Sequence, residues 1–499
     1  MRLTLLLAAV AAALGPAAAN TAHGGLEAAA ALAGRVLGPE TAKLFTFAEV
    51  VDAVAECGGG PSCCAISTGA RAGTVHIAGT SPVEMAYCLA HYCRTALYMN
   101  FAWQKNGGFQ VSAVSSSQLS LPPVGAPIHL RKRCAAGQPR CYTYYMNVCT
   151  ETYSAWNWGW DRWEKEVDWM ALNGINLVLA YTGREYVYRK VYAQLGLNAS
   201  SVELGHGGIE AGPAFLAFSR TENWANYDHT TPTGPGHPNW GLPDSGGRTG
   251  GPLPDSFVHD QWLMQKQIVA RQMELGIGSV LPAFQGNVPR ALHEHFPSAN
   301  ISYLVAGEST AGVGWLDGLD PLFARISGMI MDTLIADFGQ THFYEADGFF
   351  DHSSAPWLAA GGSPSVQVGA VPDADGISGR AAAVFGSMVQ ADKNAIWVYQ
   401  GWPWKGLSTT PHGKTFMQSF VAAVPKGRLV ILDLDAEAFE VWRRSESFYG
   451  ASFVWSAMND FGGTNGLFGD ITNVLSRVAL TTADAPSFAG TGANTILIF

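Results

Sequence analysis

The hydrophobic pattern is clearest in one segment of the chain, which predicts a β-α-β unit. A short β-prone run at 143–147 precedes a stretch in which apolar residues recur at helical spacing from Trp160 to Met170. Gly174 stands where helices commonly end in a left-handed residue. The run 175–181 that follows is continuously apolar, as expected of a parallel strand covered on both faces.

Strands and helices alternate in the same way through the rest of the chain. A helix is predicted from Asp320, as its cap, and Pro321, in its first turn, to Gly339. The repeating order favours a (β/α)₈ TIM-like barrel, with an eighth strand that the pattern does not locate. A doubly wound open sheet is the alternative, and the absence of a glycine fingerprint after the first strand weakens it. The predicted strands are 143–147, 176–181, 279–284, 342–346, 396–400, 429–434 and 453–458.

The region before the barrel divides into a leader and a small α/β domain. Residues 1–19 have the pattern of a signal peptide, with Arg2, an apolar stretch and a small-residue cleavage site. Residues 20–125 are predicted to form the small domain, with helices at 26–36 and 82–97 and a strand at 74–77. The Pro/Gly-containing segment 122–138 suits a linker, and the barrel domain is assigned to 126–499.

Composition narrows the range of partners and compartments. Of the 499 residues, 48% are hydrophobic and 14% are charged, and the net charge is −10. An acidic surface argues against nucleic acid as a partner, and the sequence has no apolar run long enough for a membrane span. Together with the leader and two glycosylation sequons at Asn198 and Asn300, this predicts the secretory pathway, ending in a lysosome, a vacuole or the extracellular space.

Aromatic and amide side chains crowd the carboxyl end of the first predicted barrel strand. Such a mixture is typical of a sugar-binding cleft, since aromatic faces pack on pyranose rings while amides address hydroxyl groups. The alternative is that most of the five tryptophans within residues 156–169 are packing residues. Seven motifs extend the observation along the chain: YYMNVCT (144–150), RWEKEVDWMALNGINLVLA (162–180), GPAFLAF (212–218), LPAFQGNVP (281–289), AIWVYQGW (395–402), GRLVILDLDAE (427–437) and FGGTNGLFG (461–469).

In this order the motifs resemble the α-N-acetylglucosaminidase family, which is glycoside hydrolase family 89. The resemblance implies a retaining hydrolase that removes terminal α-linked N-acetylglucosamine from glycans, without a metal or a cofactor. It also implies a small domain ahead of the barrel. Family members continue into a large, mostly helical domain that this sequence is expected to lack, and the resemblance leaves the oligomeric state open.

Two carboxyl groups carry the chemistry that the resemblance implies. Retaining hydrolysis uses a nucleophile and an acid/base about 5–5.5 Å apart. Glu437 matches the family's nucleophile position, and Asp351 falls at the acid/base position. Aspartate is one methylene shorter than the family's glutamate, and Phe350 replaces a polar neighbour, so the sequence departs from the family here.

The departure leaves alternatives open. Glu345 and His352 are substitute proton donors, although neither matches the motif. A non-catalytic sugar-binding relative is the alternative function. The remaining pocket residues carried over by position are Asn147, Cys149, Trp402, Asn465 and Asp347. Asn147 and Asn465 are expected to hydrogen-bond sugar hydroxyls.

All eight cysteines lie between positions 57 and 149, and in an exported protein they predict disulfides. The resemblance places Cys149 in the sugar pocket as a free thiol, which leaves an odd number and predicts at least one further unpaired cysteine. No spacing typical of a zinc site is present.

Overall fold

A computed structural model of the protein describes residues 22–52, 57–58, 60–102, 109–110, 120–147, 150, 155, 158–197, 255–289, 292–303, 314–346, 376–459 and 471–495. These residues form two compact units. The smaller unit comprises the described residues up to Lys132, together with Lys165–Asn176 and Arg271–Ile277, and the larger unit comprises the others.

The smaller unit contains a mixed four-stranded sheet. In chain order its elements are helices α1 (Ala22–Leu37) and α2 (Pro39–Ala42), strands β1 (Phe45–Glu49), β2 (Cys63–Thr68) and β3 (Val75–Gly79), helix α3 (Pro82–Ala96), the pair β4 (Asn100–Phe101) and β5 (Phe109–Gln110), and strand β6 (Ile128–Arg131). The sheet order is β1-β3-β2-β6. Both predicted helices and the predicted strand are confirmed, and Ser81 Oγ caps α3 by accepting a hydrogen bond from Glu84 N at 3.4 Å.

The prediction that 122–138 is only a linker is wrong, because β6 lies within it. Ile128–Arg131 pairs with β2 in antiparallel register. Ile128 and Leu130 are partly buried, whereas His129 and Arg131 are exposed, so this strand has one apolar face. Four residues flanked by proline and glycine are too short for the alternation to stand out in the sequence.

The predicted disulfides are confirmed. Three are present among the described cysteines, and Cys93 is a buried free thiol, in keeping with the predicted unpaired cysteine. Cys149 lies outside the described residues. The bonded pairs are Cys57–Cys63, Cys64–Cys88 and Cys134–Cys141.

The larger unit is a closed barrel of eight parallel strands, which confirms the predicted (β/α)₈ architecture. In chain order the strands of this unit are β7 (Tyr142–Tyr145), β8 (Leu177–Leu179), β9 (Gly278–Pro282), β10 (Asn287–Val288), β11 (Ile301–Tyr303), β12 (Gly314–Leu316), β13 (Phe343–Glu345), β14 (Ile396–Gln400), β15 (Leu429–Leu434), β16 (Ser452–Asn459) and β17 (Phe488–Thr495). The barrel order is β7-β8-β9-β13-β14-β15-β16-β17, while β10, β12 and β11 form a small antiparallel sheet.

The eighth barrel strand, β17, closes the barrel between β16 and β7. Its sequence, FAGTGANT, is rich in small residues and lacks the apolar run that identifies the other strands. The glycines are required by the neighbours, since a Cβ on Gly490 would meet Tyr142 O at 2.0 Å and one on Gly492 would meet Tyr144 Cδ1 at 2.8 Å. The close approach of the β7 backbone at Gly490, and of the Tyr144 side chain at Gly492, therefore requires small residues in β17, and this composition obscures the strand in the sequence.

Helices connect the barrel strands. They are α4 (Trp160–Leu172), α5 (Arg184–Gln194), α6 (Asp255–Glu274), α7 (Leu292–His295), α8 (Pro321–Phe338), α9 (Ile377–Ala391), α10 (Trp404–Leu407), α11 (Pro411–Ala422), α12 (Ala436–Phe439), α13 (Val441–Arg444) and α14 (Ile471–Asp484). As predicted, Asp320 caps α8 by accepting a hydrogen bond from Leu322 N at 2.8 Å, and Gly339 ends it. In the part of the chain that the structure describes, no helix has the length and apolarity of a membrane span.

Side-chain packing shows which residues face the inside of the barrel. Trp397 and Tyr399 of β14 pack on Phe420 of α11, with ring centroids 5.0 and 4.7 Å apart. These two side chains face the helical layer, so the alternate residues Val398 and Gln400 face the barrel interior. Gln400, the polar residue that ends β14, therefore lies in the barrel interior.

Replacement of Phe420 by alanine is expected to lower the free energy of unfolding by about 3–5 kcal/mol, the usual cost of deleting a fully buried phenylalanine. Phe420 is 0% exposed and its ring also lies 5.8 Å from that of Trp404. Urea unfolding followed by tryptophan fluorescence measures the change. Phe416→Ala, at a partly buried position of the same helix, is the matched control and should cost less. An equal loss in both variants contradicts this assignment of the core.

Candidate active site

The side chains predicted to carry the chemistry follow barrel strands, and the carboxyl ends of all eight parallel strands meet at one end of the barrel. Of the predicted residues that the structure describes, Asn147 follows β7, Trp402 follows β14 and Glu437 follows β15. The structure therefore places all three at the same end, which is the end where barrel enzymes bind their substrates.

Glu437 lies in the first turn of the short helix α12, directly after β15. The chain turns at Asp435, whose φ of +67° is left-handed. The backbone N–H of Met458, on β16, donates a hydrogen bond to Glu437 Oε1 at 2.7 Å. Oε2 is buried and has no hydrogen-bond partner among the described residues. One carboxyl oxygen is thus held in place, while the other makes no hydrogen bond within the described part of the chain.

Burial raises the pKa of Glu437 to about 7. The Met458 N–H lowers the pKa of Glu437, the Asp435 carboxylate raises it, and the Lys405 ammonium lowers it. A carboxyl group of this kind is about half ionised near neutral pH, when it can act as a nucleophile in its ionised form.

Lys405 is the cation of this cluster. Its Nζ lies 3.2 Å from Asp435 Oδ2 and 3.0 Å from the centre of the Trp402 ring. Burial lowers the pKa of Lys405, while the carboxylates of Asp435, Asp433 and Glu437 raise it. The ammonium therefore lies between an aromatic face and the acidic side chains at the end of β15, where it reduces their mutual repulsion.

Asp433 is the deepest acid of the cluster, at 1% exposure. Burial first, and then the negative charges of Asp435 and Glu437, raise its pKa well above the ordinary range. The cluster thus places Asp433, whose burial disfavours the charged form, and the cation Lys405 beside Glu437.

Trp402 and Asn147 form other parts of the same barrel end. Trp402 is partly buried, and the ammonium of Lys405 lies against its ring. Asn147 is 7% exposed and is held in a tight turn, because its N–H donates to Thr150 Oγ1 at 3.2 Å and its carbonyl accepts from Thr150 N at 3.1 Å. A tryptophan ring and an asparagine side chain on a well-held backbone are the kinds of group that hold a sugar.

Comparison with known proteins shows the family of the chain. A family model for the alpha-N-acetylglucosaminidase tim-barrel domain matches residues 143–234 and 229–495, and the model of that family's N-terminal domain matches residues 27–122. The alpha-N-acetylglucosaminidase of Homo sapiens is 33% identical over 426 residues, covering 81% of this chain and 48% of the human protein. The chain belongs to the alpha-N-acetylglucosaminidase family. It spans about half the length of this human relative.

Solved structures show the same fold. A family 89 glycoside hydrolase from Clostridium perfringens in complex with PUGNAc aligns with a TM-score of 0.73 and 22% identity, over 97% of this chain and 47% of that one. The same values hold for the Clostridium perfringens enzyme in complex with its substrate, GlcNAc-α-1,4-galactose. The similarity confirms the barrel fold of this alpha-N-acetylglucosaminidase family member.

Several residues assigned by resemblance to the family lie outside the described residues. They are the expected acid/base Asp351 and its neighbour Phe350, the alternative donor His352, and the pocket residues Cys149, Asn465 and Asp347. Their roles stay predictions. Glu345, the other alternative donor, is described and is 1% exposed on β13. So deep a position disfavours direct proton transfer from Glu345 to a substrate.

Sequence reasoning missed Lys405 and Asp433 as members of the site. The signal available was the spacing of Asp433, Asp435 and Glu437, since three acids at alternate positions around a strand end require a counter-charge. Lys405 follows the neighbouring strand by five residues, but only the closed barrel shows that the two strand ends are adjacent. No group of three or more His, Cys, Asp or Glu side chains suited to a metal ion occurs among the described residues.

Proposed function

We propose that this chain is a retaining α-N-acetylglucosaminidase, with Glu437 as its nucleophile. The observation that carries the proposal is the carboxyl group of Glu437 at the end of β15, with Oε1 fixed by Met458 N and Oε2 without a described partner. Family membership supports the same assignment, because the motif GRLVILDLDAE resembles the family motif in which the corresponding glutamate is the expected nucleophile.

The proposed reaction has two steps. In the first, ionised Glu437 Oε2 forms a bond to the anomeric carbon, the glycosidic C–O bond breaks, and Asp351 protonates the departing oxygen. This yields a glycosyl ester of inverted configuration on Glu437. In the second step, Asp351 takes a proton from water, the water oxygen bonds to the anomeric carbon, and the ester bond to Glu437 breaks. Two inversions return N-acetylglucosamine as the α-anomer.

The described side chains supply positioning and electrostatic balance for this chemistry. The hydrogen bond from Met458 N restricts rotation of the Glu437 carboxyl group, which keeps Oε2 in one orientation. The positive charge of Lys405 favours the ionised, reactive form of Glu437. We further propose that Trp402 forms an apolar wall of the sugar pocket and that the Asn147 side chain hydrogen-bonds a sugar hydroxyl group.

The substrate is proposed to be a glycan ending in α-linked N-acetylglucosamine. The Clostridium perfringens relative was solved with GlcNAc-α-1,4-galactose, which makes this disaccharide a suitable probe. Passage through the secretory pathway to a lysosome, a vacuole or the outside of the cell is also proposed. Three disulfides suit an oxidising compartment, and the sequon residue Asn300 is exposed.

The experiment that tests the function compares hydrolysis of the α- and β-anomers of 4-nitrophenyl N-acetylglucosaminide by the purified chain. Turnover of the α-anomer alone is the expected result. Turnover of the β-anomer alone contradicts the anomeric assignment. A folded chain that binds N-acetylglucosamine in calorimetry without turnover contradicts the proposal and supports the sugar-binding alternative.

The pH dependence of kcat/KM is expected to rise with a midpoint near 7, since Glu437 must lose its proton to react and its pKa is about 7. Lys405→Met removes the positive charge that favours the ionised form, so the rising limb should move to higher pH. At pH 6 the variant's kcat/KM should fall severalfold relative to wild type. Lys426→Met, at an exposed position, is the matched control and should leave the limb in place. If the rising part of the pH profile stays in place in Lys405→Met, or moves to lower pH, the role of Lys405 in favouring ionised Glu437 is contradicted.

A further inference from the structure

Glu345 is a buried carboxyl group near the active end of the barrel that the proposed mechanism does not use. It is the last residue of β13 and is 1% exposed. The register of the sheet pairs Glu345 with Val398, which faces the barrel interior. Neighbours in register point to the same side of a parallel sheet, so the Glu345 side chain also faces the interior.

The partners of Glu345 come from two other strand ends. The carboxyl group is hydrogen-bonded to Tyr181, two residues beyond β8, and to Gln400, the last residue of β14. Gln400 Nε2 also donates to the Tyr181 hydroxyl at 3.4 Å. Three side chains from three strand ends thus form one hydrogen-bonded group in the barrel interior.

Other ionisable groups face this cluster from helix α5. They are Arg184, Glu185 and Tyr188, which are 5%, 3% and 3% exposed. The Arg184 guanidinium lies 5.6 Å from the centre of the Tyr181 ring, and its positive charge acts on Glu345. The positive charge favours ionisation of Glu345, but it does not offset the effect of complete burial.

Two acceptor atoms of the three hydrogen-bonded side chains lack a described partner. Glu345 Oε1 and Gln400 Oε1 are both buried, and neither has a hydrogen-bond partner among the described residues. A proton on the carboxyl group supplies a donor to this group of acceptors. Burial raises the pKa of Glu345 to about 8, partly offset by Tyr181, Arg184 and Gln400, which agrees with a neutral carboxyl group at pH 7.

We propose that Glu345 is a positioning residue of the active site, whose neutral carboxyl group ties the ends of β8, β13 and β14 together. The inference rests on the proposed function. β13 leads into the segment that contains Asp351, and β14 leads through Gly401 to Trp402. Ionisation of Glu345 places a buried charge between these strand ends, so catalysis is lost in alkaline solution.

The test compares the pH dependence of kcat/KM in wild type and Glu345→Gln. The substrate is 2,4-dinitrophenyl α-N-acetylglucosaminide, whose leaving group departs without a proton, so ionisation of the acid/base does not limit its cleavage. Wild-type kcat/KM is expected to fall above pH 8, about fivefold between pH 8 and pH 9. In Glu345→Gln, whose amide stays neutral, kcat/KM at pH 7 is retained and the alkaline fall is absent.

Asp392→Asn is the control for the loss of a buried carboxylate elsewhere in the barrel. Asp392 is 2% exposed, precedes β14 and accepts a hydrogen bond from the Tyr344 hydroxyl at 2.9 Å. This variant should keep the wild-type alkaline fall. A fall that persists unchanged in Glu345→Gln, or a fall that Asp392→Asn removes equally, overturns the proposal.

Thermal unfolding separates this proposal from the proposed function. Glu345 has an ordinary pKa of 4.5 and a folded-state pKa of about 8. Between these values the folded chain holds a proton that the unfolded chain releases, so the contribution of Glu345 to wild-type stability falls as pH rises from 5 to 8. Glu345→Gln lacks this decrease. The unfolding midpoint of the variant minus that of wild type should therefore increase as pH rises from 5 to 8. A folded wild type without turnover contradicts the proposed function alone. A difference between the unfolding midpoints of wild type and Glu345→Gln that stays constant from pH 5 to pH 8 overturns the role of Glu345.

Discussion

Replacement of Glu437 by glutamine is expected to lower kcat/KM for α-N-acetylglucosaminides by a factor on the order of 10⁴ or more, because loss of a covalent nucleophile removes the main reaction path. Glutamine has nearly the same shape, and its carbonyl oxygen can still accept the hydrogen bond that Met458 N donates to Glu437 Oε1. Only the nucleophilic oxygen is removed. Initial rates with the 4-nitrophenyl α-anomer measure the loss.

The matched control for this loss is Glu440→Gln, three residues further along the chain. The Glu440 carboxylate lies 3.3 Å from Arg443 and 3.3 Å from Arg477 in ion pairs at the surface, and its loss should change kcat/KM less than about twofold. In Glu437→Ala, added azide can occupy the space of the missing carboxyl group and should form the β-glycosyl azide. Retention of more than a few per cent of activity in Glu437→Gln contradicts the nucleophile assignment.

Replacement of Asp351 by asparagine should impair cleavage according to the leaving group. General acid catalysis contributes about 10²–10⁴-fold, and a sugar leaving group needs that proton whereas dinitrophenolate does not. The expected loss is therefore about 10²–10⁴-fold in kcat/KM for GlcNAc-α-1,4-galactose and small for the dinitrophenyl glycoside. Since aspartate is shorter than the glutamate expected from the resemblance, Asp351→Glu should retain or raise activity on the disaccharide.

His352→Gln is the control for the neighbouring alternative donor. It should leave the dependence on the leaving group unchanged if Asp351 is the acid. A loss specific to the disaccharide in His352→Gln, together with unaffected Asp351→Asn, assigns the proton transfer to His352 and contradicts the role of Asp351. Rates for each variant on both substrates decide between the two residues.

The barrel was predictable because most of its strands are covered on both faces and therefore read as apolar runs. The strands β14 and β15, IWVYQ and LVILDL, are the clearest cases. The strand β17 was not predictable, since its glycines are required by the close approach of β7, which lies more than 340 positions away in the sequence. The strand β6 was hidden for a different reason, because four residues are too few to establish an alternation.

The candidate site was predictable where a residue lies in a motif next to a strand end, as Glu437 and Trp402 do. The positions of Lys405 and Asp433 became meaningful only when the sheet placed β14 beside β15. The contacts of Glu345 could not be predicted from the sequence, because Tyr181, Glu345 and Gln400 meet only inside the closed barrel. A sequence shows which groups follow each strand, whereas the hydrogen bonds between strand ends depend on register and closure.

The most direct test of the central claim is to trap the glycosyl-enzyme. A 5-fluoro N-acetylglucosaminyl fluoride of α-configuration slows both steps, and its good leaving group lets the first step run ahead of the second. After digestion, mass spectrometry identifies the labelled peptide. One sugar per chain is expected, attached to Glu437 and absent from Glu437→Gln. A label on another carboxyl group, or turnover without any covalent species, would contradict this claim.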